Sequence, residues 1–291
     1  MFYYLSLLLN IYTCRGGGNI LKEKTHNRHD FRAVGRTNRA EQSGQDWRIW
    51  GRHPVLEALK GSFPLREIYI HDGAGGDAIG QIKQLAQNKG IPLKQAPRQE
   101  LDRKAPGENH QGVMALLSAY EYLTPDELLA QARLTERAPF LLMPDHLQDP
   151  YNFGSLLRTA SLTGVHGAVI PRDRACGVTP AVFKGSAGAL AYVPVAQSVN
   201  LAREVEYFKK EGLWIIGADM DGDLPFFEAD LQLPLVLILG GEGKGLSRLL
   251  KEKCDFLLRI PSGEAVSSFN AAVAGGIIMY EAFRQRDGAK S

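Results

Sequence analysis

The sequence has little cysteine, few candidate metal ligands in any useful pattern, no long hydrophobic run and almost no net charge. The three cysteines, Cys14, Cys176 and Cys254, stand far apart. They form no redox or metal spacing, which excludes a disulfide framework and fits a reducing compartment. No HExxH pattern occurs and no histidine pairs with a cysteine, so no metal site is expected. The most apolar stretch, residues 1–12, is too short for a bilayer span of roughly 20 apolar residues. It also lacks the preceding basic residues and following small-residue cleavage site of a secretory signal. A non-native or misassigned start is the preferred reading of this stretch, and a membrane-associating segment the lesser one. No membrane partner and a cytoplasmic location are expected.

A formal net charge of +2 implies no particular partner, but it is unevenly spread. Residues 15–46 carry seven basic and four acidic side chains, for a local +3, residues 1–14 carry none, and the remainder sums to −1. A flexible basic arm could approach phosphates. A solvated linker is the plainer alternative, and composition leans slightly to it.

What is present is 291 residues, 44% hydrophobic and 23% charged, an ordinary globular composition long enough for two domains and a tail. Residues 13–46 are Gly-, Asn- and Arg-rich without periodicity, and 1–46 as a whole is expected to be a disordered basic tail. From residue 47 a small α/β domain is predicted to run to 122, with a helix over 53–60, a strand over 67–70, a helix over 78–88 and strands over 91–93 and 112–117. Thr124-Pro125-Asp126-Glu127 has the form of a capping box with Pro at the first helical position. It opens a connecting helix within a linker, 123–137. A second α/β domain, 138–291, follows. Continuous apolar runs at 140–143, 167–170, 213–217 and 235–239 suit strands of a parallel sheet buried on both faces. Helices are predicted at 155–163, 179–190, 201–212 and 267–286, and a further strand at 256–260.

Three polar, Gly-containing segments follow strands of this second domain, where parallel α/β sheets bind ligands. They are residues 149–158, 240–246 and 260–270. The middle one is not a Walker A loop: Ile238 stands where the first Gly is needed, and Gly245 where Ser or Thr must follow Lys244. Nor does it match a dinucleotide fingerprint, which belongs to an early βαβ unit with an acid about 20 positions on; Pro261 stands near that place. What survives is a loop whose glycines leave room for a close ligand.

Taken together, Asn152-x-Gly154-x3-Arg158, Leu239-Gly240-x-Glu242-Gly243-x-Gly245 and Ile260-Pro261-x6-Ser268-x-Asn270 resemble, in order and spacing, the three signature motifs of the SpoU family. These are S-adenosylmethionine-dependent RNA ribose 2′-O-methyltransferases of the SPOUT superfamily. Residues 50–55 and 110–115 resemble that family's ribosomal-protein-like substrate-binding domain. The whole is most similar to the branch that methylates a guanosine of 23S ribosomal RNA.

The resemblance implies a SPOUT-type parallel sheet with a C-terminal trefoil knot, a homodimer, S-adenosyl-L-methionine as cofactor and RNA as partner, ribosomal RNA ahead of transfer RNA. It implies catalytic roles for Asn152, Arg158, Glu242, Ser268 and Asn270. Gly240, Ile260 and Phe269 would touch the cofactor through their backbone, with Gly241, Gly245 and Pro261 shaping its cavity. A guanidinium with a pKa above about 12 makes a poor base, so Arg158 suits a phosphate clamp better. Asn152 would orient Arg158 or fix its loop, a turn-forming Asn being the plain alternative. Glu242 would hold substrate or the second subunit, where a surface acid is the plain alternative; Ser268 and Asn270 could equally cap the last helix. The chain departs from the family pattern at Ser262 (usually Met), at Phe269 (usually Leu) and at Ala271-Ala272 (usually Val-Ser). A transfer RNA enzyme and a non-catalytic RNA-binding protein of the same fold are the rivals.

Overall fold

The computed structural model describes residues 47–61, 63–241, 245–263 and 268–288. The expected tail, residues 1–46, and Glu242 lie outside the described residues. The chain runs through β1 (Trp47–Trp50), α1 (Arg52–Lys60), β2 (Leu65–His71), α2 (Asp77–Asn88), β3 (Leu93–Ala96), α3 (Arg98–Lys104) and β4 (Val113–Leu117). After α4 (Pro125–Ala132) come β5 (Phe140–Asp145), α5 (Pro150–Leu162), β6 (Gly167–Pro171), α6 (Pro180–Gly185), β7 (Val195–Ser198) and α7 (Leu201–Lys210). The order closes with β8 (Trp214–Ala218), β9 (Leu224–Pro225), β10 (Leu235–Gly240), α8 (Arg248–Lys253), β11 (Phe256–Arg259) and α9 (Ala271–Gly288).

Two sheets result. The first has the order β1-β4-β2-β3 and mixed direction; the second has the order β7-β6-β5-β10-β8-β11-β9, and its strand pairs are parallel. β5 and β6 are buried along their whole length, as is β10 up to its last residue. That is why they read as unbroken apolar runs rather than alternating ones. The helices begin where local chemistry directs. Thr124 and Glu127 exchange both capping-box bonds at the start of α4. Asn200 accepts from the Arg203 N–H to start α7, whose Leu201, Val205 and Phe208 form its buried stripe.

The sheets are joined by packing that continues from one to the other. Phe63 lies against Phe183 with ring centroids 4.7 Å apart. The hydroxyls of Tyr120 and Tyr122 accept from the Val195 and Val178 N–H groups at 3.0 and 2.8 Å. Burial pushes the Tyr120 phenol up to about 12. On α9, the half-buried Arg286 donates to the carbonyls of Ala138, Leu231 and Leu233 and so ties the last helix to the bottom of the sheet.

Several expectations are corrected. The first motif is not a loop: α5 begins at Pro150, because Asp149 accepts from the Asn152 N–H and Pro150 takes the first helical position. The helix expected over 179–190 is broken, with α6 ending at Gly185 and a short 3₁₀ turn over Ala189–Ala191. The break falls where Ala187 and Gly188 take positive φ of 50° and 88°. α9 starts at Ala271 rather than 267, and β1, α3, β7, β9 and α8 were not expected at all.

Gly154 has a packing role. A Cβ at this position would stand 2.7 Å from the carbonyl carbon of Gly185 and 2.8 Å from the nitrogen of Ser186, so α5 and α6 cross backbone to backbone. Alanine in a helix interior gains up to about 1 kcal/mol over glycine, while overpacking against an immovable neighbour costs about 1–3 kcal/mol. Gly154→Ala is therefore expected to lower stability by about 1–2 kcal/mol in urea unfolding. A midpoint at or above wild type would show that the crossing can relax.

Candidate active site

Strand register brings the carboxyl ends of distant segments into line. Gly240 pairs with Asp145, Leu239 with Ala218, and Ala218 with Leu258. The segments leaving these strand ends surround a cavity of about 600 Å³. Gly240, Gly241, Gly245 and Leu246 form one side, and Ile260, Ser262, Ser268, Phe269 and Asn270 another. Ala218, Asp219, Met220 and Asp221 close it with Lys251 of α8. Leu239, Leu258, Ile260 and the half-exposed Phe269 make it partly apolar. The Lys251 ammonium donates to Asp219 at 2.9 Å and lies 3.9 Å from Asp221. That bond to Asp219 holds the ammonium above its ordinary range.

The first motif lies one step outside this cavity. Asn152 Oδ1 accepts from Asn270 Nδ2 at 3.2 Å. Asn270 Oδ1 in turn accepts from the Ala272 and Val273 N–H groups at 2.8 and 3.3 Å and caps α9. Capping and proximity to the site are thus one arrangement, not alternatives. Arg158 is exposed on α5, and its guanidinium has no partner among the described residues. It belongs to the stripe Tyr151, Ser155, Arg158 and Leu162, all exposed at helical spacing. Pro261 is exposed, and its neighbours Ile260 and Ser262 form the wall in its place. Among the described residues no cluster of His, Cys, Asp or Glu could hold a metal ion.

Residues 139–280 match the family model described as the SpoU rRNA Methylase family, and residues 48–123 match the one described as RNA 2′-O ribose methyltransferase substrate binding. YacO of Bacillus subtilis (strain 168), a protein assigned to the TrmH family of tRNA/rRNA methyltransferases, is 43% identical over 239 residues, covering 82% of this chain and 96% of YacO. The chain belongs to the SpoU family. Among solved structures it is similar to the SpoU methyltransferase AviRb from Streptomyces viridochromogenes, at 25% identity and a TM-score of 0.69 over 84% of this chain and 91% of AviRb. AviRb in complex with the cofactor AdoMet shares the fold at a TM-score of 0.70 and 24% identity, over 87% of this chain and 95% of that one.

Two features of this SpoU chain were not legible as site features. Asp219 and Asp221 follow the strand β8, a position that could have flagged them as cavity residues, since ligands gather at such strand ends. Asp145 also ends a strand, β5, but its part is in the fold. It is buried, and its Oδ2 accepts from the Ser247 N–H at 2.8 Å, while Oδ1 takes a close bond from His146 Nδ1. The residue at the end of β5 therefore fixes the start of α8, on the far side of the glycine segment.

The glycines close the same crossing of backbone segments. A Cβ on Gly240 would stand 2.1 Å from the carbonyl carbon of Gly245, and one on Gly241 would stand 2.8 Å from the His146 oxygen. Gly245 takes a φ of 63° and donates its N–H to the Gly241 oxygen at 3.2 Å. Much of the room that these glycines leave is filled by the chain itself.

Removing Asp145 would leave the half-buried Ser247 N–H without its acceptor, at a cost towards the lower end of about 1–3 kcal/mol. Asp145→Ala is expected to lose about that much stability and to speed hydrogen exchange at the Ser247 amide. Exchange at Ser247 unchanged from wild type would show that the bond does not hold this segment.

Proposed function

We propose that this chain transfers the methyl group of S-adenosyl-L-methionine to a ribose 2′-hydroxyl in RNA, with a guanosine of 23S ribosomal RNA as the preferred target. The observation that carries the reading is the gathering of Gly240, Gly241, Gly245, Ile260, Ser268, Phe269 and Asn270 around one cavity, with Asn152 bonded to Asn270 at its edge. The cavity's volume suits a small cofactor, for which about 300–1,000 Å³ is usual. Leu239, Leu258, Ile260 and Phe269 offer apolar walls to an adenine ring, and Asp219 and Asp221 offer acceptors to hydroxyl or ammonium groups. AviRb, whose fold is shared, binds AdoMet.

The cofactor supplies a methyl group made electrophilic by its sulfonium. The chain's own contribution is to bring a sugar oxygen into line with it. Arg158 takes the phosphate next to the target ribose and holds the hydroxyl in place, because a guanidinium forks onto phosphate oxygens and stays charged. Asn152 and Asn270 fix the start of α5, and so the placement of Arg158, relative to the cavity. Ser268 lines the cavity and can bond the hydroxyl. Glu242, by family likeness, holds substrate or the second subunit. Residues 47–122 act as the RNA-binding domain, 123–137 as the linker and 138–291 as the methyltransferase domain, a division that agrees with the two family models.

The finer architecture follows the same likeness. By that likeness, residues 240–246 and 260–270 would form a trefoil knot. A homodimer is supported by large exposed apolar side chains on two neighbouring helices, Tyr151 and Leu162 on α5 and Val273 and Tyr280 on α9. α5 and α9 meet closely at Gly275, where a Cβ would stand 2.5 Å from Leu156. Among the described residues no helix is long and apolar enough to cross a membrane, and action on RNA in the cytoplasm is the setting proposed.

The test is incubation with labelled S-adenosylmethionine and, separately, unmodified ribosomal and transfer RNAs, followed by mapping of methylated riboses. Ribose label in 23S RNA is expected. Label in transfer RNA alone would change the substrate, and cofactor binding with no label in either would favour a non-catalytic RNA-binding protein. Arg158→Ala is expected to slow transfer by about 100-fold or more, as loss of one charge-stabilising group does, with cofactor affinity unchanged by calorimetry. Normal turnover in this variant would remove Arg158 from the reaction. Sedimentation is expected to give a dimer for the wild type and a monomer for the Leu162→Glu, Tyr280→Glu double variant; a dimer that survives both changes would place the interface elsewhere.

A further inference from the structure

The substrate-binding half has a cavity of its own, far in sequence from the motifs. It has a volume of about 250 Å³ and is lined by Arg52, His71, Arg98, His110, Gln111 and Gly112, among others. Four separate stretches supply it: the start of α1, the end of β2, the start of α3 and the turn before β4. That turn is conformationally costly. Gln111 and Gly112 take positive φ of 51° and 79° in succession, and a non-glycine residue in this region costs about 1–3 kcal/mol.

The surrounding side chains hold the turn in place. His110 is buried; its Nδ1 accepts from the Gly112 N–H at 3.0 Å and its Nε2 bonds Asp102 at 2.9 Å. Arg52 donates its backbone N–H to Gln111 Oε1 at 3.1 Å and its Nε to the Gln111 carbonyl at 3.2 Å. These bonds orient Gln111 so that its amide Nε2 is left as a donor.

The remaining valences are donors and positive charge. Neither terminal nitrogen of Arg52 has an acceptor among the described residues. Arg98 is 75% exposed, and its ion-pair contact is Asp102 at 4.0 Å through Nε, with that carboxylate already bonded to His110. His71 adds a buried Nδ1 with no partner among the described residues. Two planar guanidiniums with terminal nitrogens open to the cavity, beside an amide donor, suit a tetrahedral phosphate whose oxygens can accept two bonds at once.

Resting on the RNA-methylation reading above, we propose that this cavity binds a phosphodiester of the substrate RNA, through Arg52, Arg98 and the Gln111 amide. It is a second anchor, separate from the methyl-transfer cavity, and fixes where the RNA lies on the substrate-binding domain. The forks read backbone charge and not base edges, so the anchor positions RNA without selecting its sequence.

The test measures affinity of the full chain for unmodified ribosomal RNA over a range of KCl concentrations, for wild type, Arg98→Ala and Arg52→Gln. Each variant is expected to bind at least about threefold more weakly and to flatten the slope of log K against log[KCl] by about one contact's worth. Thermal midpoint and calorimetric affinity for S-adenosylmethionine should match wild type in Arg98→Ala, whose side chain makes only an exposed ion-pair contact with Asp102 at 4.0 Å. Unchanged affinity and slope in both variants, while the wild type binds RNA, would overturn the anchor and leave the methylation reading standing. A wild type that neither binds nor methylates RNA would overturn that reading itself. Binding of guanosine monophosphate to the wild type that is lost in Arg98→Ala, with RNA affinity unchanged, would also overturn the anchor, in favour of a mononucleotide site.

Discussion

The placement of β10 between β5 and β8 governs the rest of the second sheet. Six residues of β10 pair with β5 and five with β8, all in parallel. The side chains from Leu235 to Leu239 are buried on both faces of the sheet. A slip of one residue would exchange the faces of every side chain in a strand, and here both faces are packed, so the register is tightly set. It puts Gly240 beside Asp145 and Leu239 beside Ala218. Because of that, a carboxylate at the end of β5 can reach the Ser247 N–H, 102 residues further along the chain. The cavity wall is a consequence of register before it is a matter of individual side chains.

The polar and glycine positions of the motifs divide by what they do in the protein. Gly154 serves a helix crossing, Gly240 and Gly241 serve backbone approaches, and Asn270 caps α9 while bonding Asn152. These residues spend their chemistry on the fold around the site. Ser268, Phe269 and Arg158 do not: the first two face the cavity and the third faces solvent. A signature of this kind therefore mixes scaffold with chemistry, and the structure separates the two by asking which hydrogen bonds and van der Waals spaces are already filled.

The sequence was most legible where burial was complete or nearly so. β5, β6, β10 and the buried centre of β8 stood out because long apolar runs leave few alternatives. β7, with Val195-Ala196-Gln197-Ser198, and β9, with two residues, are too short to show a period. α3 has a single buried residue, Leu101, so its helical face carries no repeating signal. The start of α5 was misplaced because its motif is polar and glycine-containing, and the cap at Asp149 with Pro150 outweighed that. The break after α6 depends on positive φ at Ala187, which no residue type announces. Of the site, the motif residues around the cavity could be named from the chain's resemblance to a family. Asp219 and Asp221 had only their place after β8 to mark them, and the contributions of Asp145 and Lys251 arise from contacts between distant residues.

Arg158 sits within an otherwise partly apolar exposed stripe, between Tyr151 and Leu162. A surface of that kind gains from being covered, yet a guanidinium cannot be covered at low cost unless its charge meets an acceptor. A second copy of the chain that buried Tyr151 and Leu162 would have to leave a slot over Arg158 or bring an acceptor to it. With a slot, the charge stays open at the edge of the interface, a short way along α5 from Asn152 and its bond to Asn270. A substrate phosphate entering there would be the acceptor that the fold leaves out. Dimer formation and substrate entry would then be two answers to one electrostatic requirement, the first covering the apolar part of the stripe and the second satisfying its charge.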